Sequence, residues 1–103
     1  MIKLVPLEEI VCFEAQRQYC YVHCREESIL CSTHSLTELE SILPSPPFLR
    51  VHRSYIVNMR KVVNIALVSP TKYELRMREG RVTRVAVPRR NVPDVKRFLG
   101  LSS

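Results

Sequence analysis

Phe48-Leu49-Arg50-Val51-His52-Arg53-Ser54-Tyr55-Ile56-Val57-Asn58-Met59-Arg60-Lys61-Val62-Val63 is the stretch around which the rest of the chain falls into place. Two kinds of residue share it. Phe48, Val51, Ile56, Val57, Val62 and Val63 can anchor a core. Arg50, His52, Arg53, Ser54, Asn58, Arg60 and Lys61 are donors suited to phosphates or base edges, and no acid stands among them. A segment pinned by apolar residues while it presents a ridge of cations suits a nucleic-acid reader. The same residues also fit a plain strand–loop–strand whose arginines are merely solvated.

The charge of the whole chain sharpens the first reading. The net charge is +6, but it is unevenly distributed. Residues 1–47 carry three basic against seven acidic side chains, and residues 48–103 carry 13 basic against three acidic. Such asymmetry suggests one face turned towards a polyanion. An anionic membrane is a poorer fit, because the cations lie on strand-like segments and not on a basic amphipathic helix. The 103 residues suit one domain, 1–103, with a modest core, and 46% hydrophobic against 25% charged residues argues against global disorder. No apolar run is long enough to span a bilayer. The start, Met1 to Ile10, has acids at Glu8 and Glu9 and does not read as a signal peptide, so a cytoplasmic location is expected.

Cys12, Cys20, Cys24 and Cys31 lie near His23 and His34. Zinc ligation and free thiols in a reducing compartment are the two readings. The spacing favours the second, since no C-x-x-C pair is present, and no metal or other cofactor is expected.

Working outward, the elements are short. Ile2 and Leu4 alternate with polar residues before Pro6, and Leu7-Glu8-Glu9 suits one helical turn. Ile10 to about Ala15 reads as a strand, Gln16-Arg17-Gln18 as a polar turn, and Tyr19 to Cys24 as a returning strand. After Glu26-Glu27-Ser28, Ile29 to Ser32 pairs back. Ser35-Leu36-Thr37-Glu38 is a capping box, and Leu36, Leu39, Ile42 and Leu43 follow at helical spacing until Pro44. Beyond the central stretch, Val62–Val68 and Lys72–Met77 read as strands. Arg78 to Arg81 is a turn with Gly80 available for positive φ, and Val82–Val87 returns. Asn91 is expected to cap a last helix with Val95, Phe98 and Leu99 on its apolar face and Gly100 at its end. Asn58 reads as a turn-stabilising residue, and Phe48, Tyr55 and Ile56 as core.

Laid out in this order, the chain resembles a LytTR-type DNA-binding domain, the output domain of many bacterial response regulators. Four pieces carry the resemblance: Leu4-x-x-Leu7-Glu8-Glu9-Ile10 with Phe13-Glu14-Ala15, Leu36-x-x-Leu39-Glu40-x-x-Leu43, Phe48 through Asn58, and Val87-x-Arg89-Arg90. The resemblance implies a mainly β fold: an elongated arrangement of small antiparallel β-sheets with two short helices. It also implies that loops between strands read duplex DNA in successive major grooves. The reading turns map to Gln16–Cys20, to His52, Arg53 and Ser54, and to Arg89 and Arg90. Base contacts are accordingly expected from Gln18, Tyr19, His52, Arg53 and Arg90, because Arg and Gln can bond purine edges bidentately. Phosphate contacts are expected from Arg17, Arg50, Ser54, Arg60, Lys61, Arg84 and Arg89. The implied partner is double-stranded DNA with two similar half-sites, one domain on each; a receiver domain outside these residues and a stand-alone regulator both stay open. Pro88 departs from the family pattern and removes an amide at the start of the last helix.

Other classes fit less well. His52 and Ser54 lack a third orienting carboxylate and an oxyanion site, so no enzyme is expected. A single-stranded RNA binder would need a stacking platform, and the chain has 7% aromatics and no Trp. A protein-interaction domain with solvated cations stays open at this level.

Overall fold

The computed structural model describes residues 5–31 and 35–100. Among them, β1 (Ile10–Gln16), β2 (Tyr19–Cys24), β3 (Ser28–Leu30), β4 (Phe48–His52) and β5 (Tyr55–Asn58) form an antiparallel sheet in the order β3-β2-β1-β5-β4. A second antiparallel sheet holds β6 (Val62–Ser69), β7 (Lys72–Met77) and β8 (Arg84–Val87) in sequence order. The helices are α1 (Leu36–Ile42) and α2 (Val92–Phe98), and 3-10 turns cover Leu7–Glu9, Met59–Lys61 and Arg89–Asn91. The extents of 45 × 24 × 23 Å make the molecule elongated, and the mainly antiparallel β architecture with two short helices is the expected one.

The larger sheet is covered on both faces, which explains the continuous apolar runs in its two central strands. Ile10, Phe13, Phe48 and Ile56 face Leu36 and Leu39 of α1. Val11, Cys12, Val51 and Val57 face Leu75, Met77, Val85 and Val87 of the smaller sheet and Val92 and Val95 of α2. Burying such side chains contributes about 1.5–3 kcal/mol each, so this shared layer joins the two sheets.

Local signals are met closely in several places. Ser35 Oγ accepts from the Glu38 amide at 3.2 Å and starts α1. Gly80 sits at φ +95, and a Cβ there would meet Val11 Cγ2 at 3.1 Å and the Cys24 carbonyl at 3.3 Å. Asn58 caps the 3-10 turn after β5 by accepting from the Arg60 amide at 3.0 Å, and its Nδ2 donates to the Ile10 carbonyl at 2.8 Å.

Several expectations need correction. Val63 does not anchor the core: it is 58% exposed on β6. Ile42 leaves the buried face of α1 and is 66% exposed, because the helix ends there and the chain turns towards Pro44. β8 begins at Arg84 and not at Val82; Val82 instead packs against the core from the turn. β3 spans Ser28–Leu30, beginning and ending earlier than the expected return strand. Asn91 does not cap α2. It closes the 3-10 turn Arg89–Asn91, and its Nδ2 donates to the Val51 carbonyl at 2.8 Å, so a tertiary bond replaces the local one. The expected strand at Ile2 and Leu4 lies outside the described residues, as do Ser32 and His34.

Candidate nucleic-acid interface

The β1–β2 hairpin closes through a two-residue tip, Arg17-Gln18, with Gln16 opposite Tyr19. Its twist demands positive φ, and Arg17 supplies it at φ +58 without being Gly or Asn. That conformation costs an L-residue roughly 1–2 kcal/mol. Arg17, Gln18 and Tyr19 are all exposed.

The β4–β5 hairpin closes through Arg53-Ser54, with His52 opposite Tyr55. This tip is braced from below. Arg50 donates through Nε to the His52 carbonyl at 3.2 Å and through Nη2 to the Arg53 carbonyl at 2.7 Å, and its Nη1 reaches Glu40 Oε1 at 3.1 Å. The Ser54 amide donates to His52 Nδ1 at 2.9 Å. That bond requires a lone pair on Nδ1, so the ring is neutral with its hydrogen on Nε2. Partial burial first, then the charges of Arg53, Arg50 and Arg90, hold the His52 pKa below the ordinary histidine value.

These two tips lie at the same end of the larger sheet. Glu14 is opposite Tyr55, and the Ala15 amide donates across to the Ser54 carbonyl at 2.9 Å. The third segment joins them because the Asn91 bond to Val51 pins the Arg89–Asn91 turn to the end of β4. Arg89 and Arg90 are exposed there, and Arg90 is close enough to act on His52. Neither Arg53 nor Arg90 has an ion pair among the described residues, since Asp94 pairs with Arg97 and Glu14 with His23. Gln18, Tyr19, His52, Arg53, Arg90, Arg17, Ser54 and Arg89 are thus gathered at one end.

The remaining cations are not. Arg60 and Lys61 follow β5 at its far end, past a strand about 10 Å long. Lys61 Nζ is bound to Glu79, which also pairs with Arg25. Arg84 begins β8, the end away from Arg89, and lies 4.0 Å from Glu74 Oε1. Arg50 belongs to the right end but is committed to loop carbonyls.

Sequence reasoning missed one group behind the tips. Glu14 Oε1 lies 2.7 Å from His23 Nε2, and Glu14 Oε2 accepts from the Tyr55 hydroxyl at 2.7 Å. The signal was an acid at mid-strand, in Ile10-Val11-Cys12-Phe13-Glu14-Ala15-Gln16. As for the thiols, Cys12, Cys20 and Cys24 are buried and Cys31 half-buried, and none of the four forms a disulfide. Among the described residues no His, Cys, Asp or Glu cluster of three or more is placed to hold a metal, and no helix is long and apolar enough to cross a membrane.

Residues 1–100 match the family model of the LytTr DNA-binding domain. The chain is 34% identical over 98 residues to the heme-containing CO-sensing transcriptional regulator RcoM 2 of Paraburkholderia xenovorans (strain LB400), covering 95% of this chain and 36% of that protein. It is 33% identical over 78 residues to the transcriptional regulatory protein YpdB of Escherichia coli (strain K12), covering 76% of this chain and 32% of that one. It is 34% identical over 99 residues to the sensory transduction protein LytT of Bacillus cereus, covering 95% of this chain and 39% of that protein. The chain therefore spans well under half the length of these curated relatives. A solved LytTr DNA-binding domain from Bacillus cereus superposes with a TM-score of 0.82 at 31% identity, covering 94% of this chain and 86% of that one. With family model, relatives and fold in agreement, the chain belongs to the LytTr DNA-binding domain family, a DNA-binding domain with relatives among transcriptional regulators.

Proposed function

We propose that this domain reads duplex DNA sequence-specifically through inter-strand loops, as the DNA-binding part of a bacterial transcriptional regulator in the cytoplasm. The observation that carries the reading is the convergence of three polar segments at one end, with Arg53 and Arg90 exposed and free of acidic partners among the described residues. Arg53 and Arg90 present planar forks suited to guanine O6 and N7, Gln18 an amide suited to adenine, and His52 a single Nε2–H donor. Tyr19 completes the base-facing set. Arg17, Ser54 and Arg89 flank these residues and hold phosphates. Arg50 acts by shaping the loop. Arg60, Lys61 and Arg84, at the far ends of their strands, contribute long-range attraction and no direct contact.

A natural site consists of two similar half-sites on one face of the duplex, each taking one domain. The domain serves as the output unit of a response regulator with a receiver elsewhere in the polypeptide, or as a stand-alone regulator. Catalysis forms no part of this reading. A gel shift with random duplex at two salt concentrations tests it. Each phosphate neutralised contributes about −0.9 to the slope of log affinity against log salt. Binding that strengthens steeply as salt falls, followed by recovery of a consensus from a random-sequence pool, is the expected result. A slope near zero removes the reading.

A further inference from the structure

We propose that Glu14 is a positioning residue for DNA reading: its carboxylate ties Tyr55 of the β4–β5 hairpin to His23 of the β1–β2 hairpin and sets the two reading tips relative to each other. The inference rests on the DNA-reading role proposed above and adds a residue that touches no DNA.

The geometry is a continuous chain of polar contacts across four strands. Ser28 Oγ on β3 lies 2.7 Å from His23 Nδ1 on β2, His23 Nε2 lies 2.7 Å from Glu14 Oε1 on β1, and the Tyr55 hydroxyl on β5 donates to Glu14 Oε2 at 2.7 Å. The Tyr55 ring then meets the His52 ring edge-on, centroids 5.8 Å apart. A line of contacts thus runs from the edge of the sheet to a base-facing side chain. A carboxylate only accepts, so His23 Nε2 must carry the hydrogen towards Glu14. Burial pushes the Glu14 pKa up, but hydrogen bonds from Tyr55, His23 and Gln16 outweigh it and hold the carboxyl below its usual range, so it is ionised near neutrality.

Placement argues for positioning and against contact. An open carboxylate at this end would repel phosphate, whereas this one has both oxygens engaged by donors. Glu14 pairs in register with Tyr21 on one side and Tyr55 on the other, so it stands at the junction of the hairpins. The neighbouring Ala15 amide makes the direct backbone bond to the Ser54 carbonyl, at 2.9 Å. Hydrogen-bonded networks in a partly buried setting rigidify what they join when every member is satisfied. The Arg50 bonds shape the β4–β5 tip internally, so the placement of one tip relative to the other depends on the bonds that cross between β1 and β5 directly behind them.

Tyr55→Phe removes one hydroxyl and leaves the ring against His52 and the core. The first readout needs no DNA: hydrogen exchange of the Ala15 amide, with the Leu75 amide of the other sheet as reference. Loss of a hydrogen bond to a charged group is expected to speed Ala15 exchange about tenfold while Leu75 changes little. The second readout is affinity for a duplex selected by the unaltered protein from a random-sequence pool, set against affinity for random duplex. The selected duplex should lose about tenfold and the random duplex less than about twofold, because no cation is removed. If the variant does not fold, Ser28→Ala cuts the outermost link at an exposed residue and must move both readouts in the same direction by a smaller factor. Equal acceleration at Ala15 and Leu75 would make the network a general stabiliser and overturn the proposal. So would an unchanged ratio of selected to random affinity. Failure of the unaltered protein to bind any duplex would instead strike at the DNA-reading role, and the exchange measurement separates that outcome from a failure of the clamp.

Discussion

Asn58→Ala is the substitution expected to cost this fold most for its size. Asn58 is 2% exposed and makes two side-chain bonds. Nδ2 donates at 2.8 Å to the Ile10 carbonyl, fastening the start of β1 to the end of β5. Oδ1 accepts from the Arg60 amide at 3.0 Å and caps the 3-10 turn that leads into the second sheet. Stripping the donor from a buried carbonyl costs about 1–3 kcal/mol, and loss of a cap about 1 kcal/mol. The sum, roughly 2–4 kcal/mol, is a large share of the ~5–15 kcal/mol that stabilises a domain of this size. Urea unfolding gives the assay: the midpoint should fall by about 1–3 M with an unchanged slope, as m is about 1–3 kcal/mol per M. Asn58→Ser separates the two bonds, since its hydroxyl can accept from the Arg60 amide but is too short to reach Ile10. Its cost should lie between those of Ala and Asn, nearer Ala. A loss below about 0.5 kcal/mol for Ala, or full restoration by Ser, would refute the argument that the cross-strand bond matters.

Further outcomes follow from the same geometry. The folded-state pKa of Glu14 is lowered from 4.5, so its contribution to stability is complete above that pH and is lost as pH falls through the folded value. The stability gap between the unaltered protein and Glu14→Gln should therefore narrow below about pH 4.5 in urea midpoints taken down to about pH 3. Arg17→Gly relieves positive-φ strain of about 1–2 kcal/mol against a glycine entropy cost of about 0.5–1 kcal/mol, and should raise the unfolding midpoint slightly while weakening duplex binding in a gel shift. Lys61→Ala should shift the salt slope of random-duplex binding by less than about half the 0.9 expected of a true phosphate contact, because Lys61 is paired with Glu79 at the far end of β5. A full unit of change would put that end on the DNA.

What was legible in the sequence was local. β7 falls at Lys72–Met77, where alternation and the flanking turns predict it, and Gly80 takes the positive φ that its turn needs. Ser35 and Asn58 bond their own neighbouring amides, three and two residues away respectively, as capping chemistry prescribes. What was not legible joins residues far apart along the chain. Asn91 has the composition of a helix cap, but its amide reaches 40 residues back to Val51. Arg50 resembles a phosphate ligand until its own hairpin folds the His52 and Arg53 carbonyls towards it. Glu14, His23 and Tyr55 meet only because β1 pairs with both β2 and β5, and that strand order is not written in any local pattern. The residues proposed to read bases come from the family resemblance. Which cations share their end of the molecule became clear only with the strand directions.

The most direct measurement of the central claim is the affinity of Arg53→Ala for a selected duplex relative to random duplex, at one fixed salt concentration and with a thermal melt to establish folding. Arg53 is exposed at the tip of the β4–β5 hairpin, among the converging segments and without an acidic partner among the described residues. The account predicts a loss of about 1–3 kcal/mol on the selected duplex and little change on random DNA. An equal loss on both by a folded variant would make Arg53 a phosphate clamp, and no loss on either would contradict the placement of the DNA at this end of the domain.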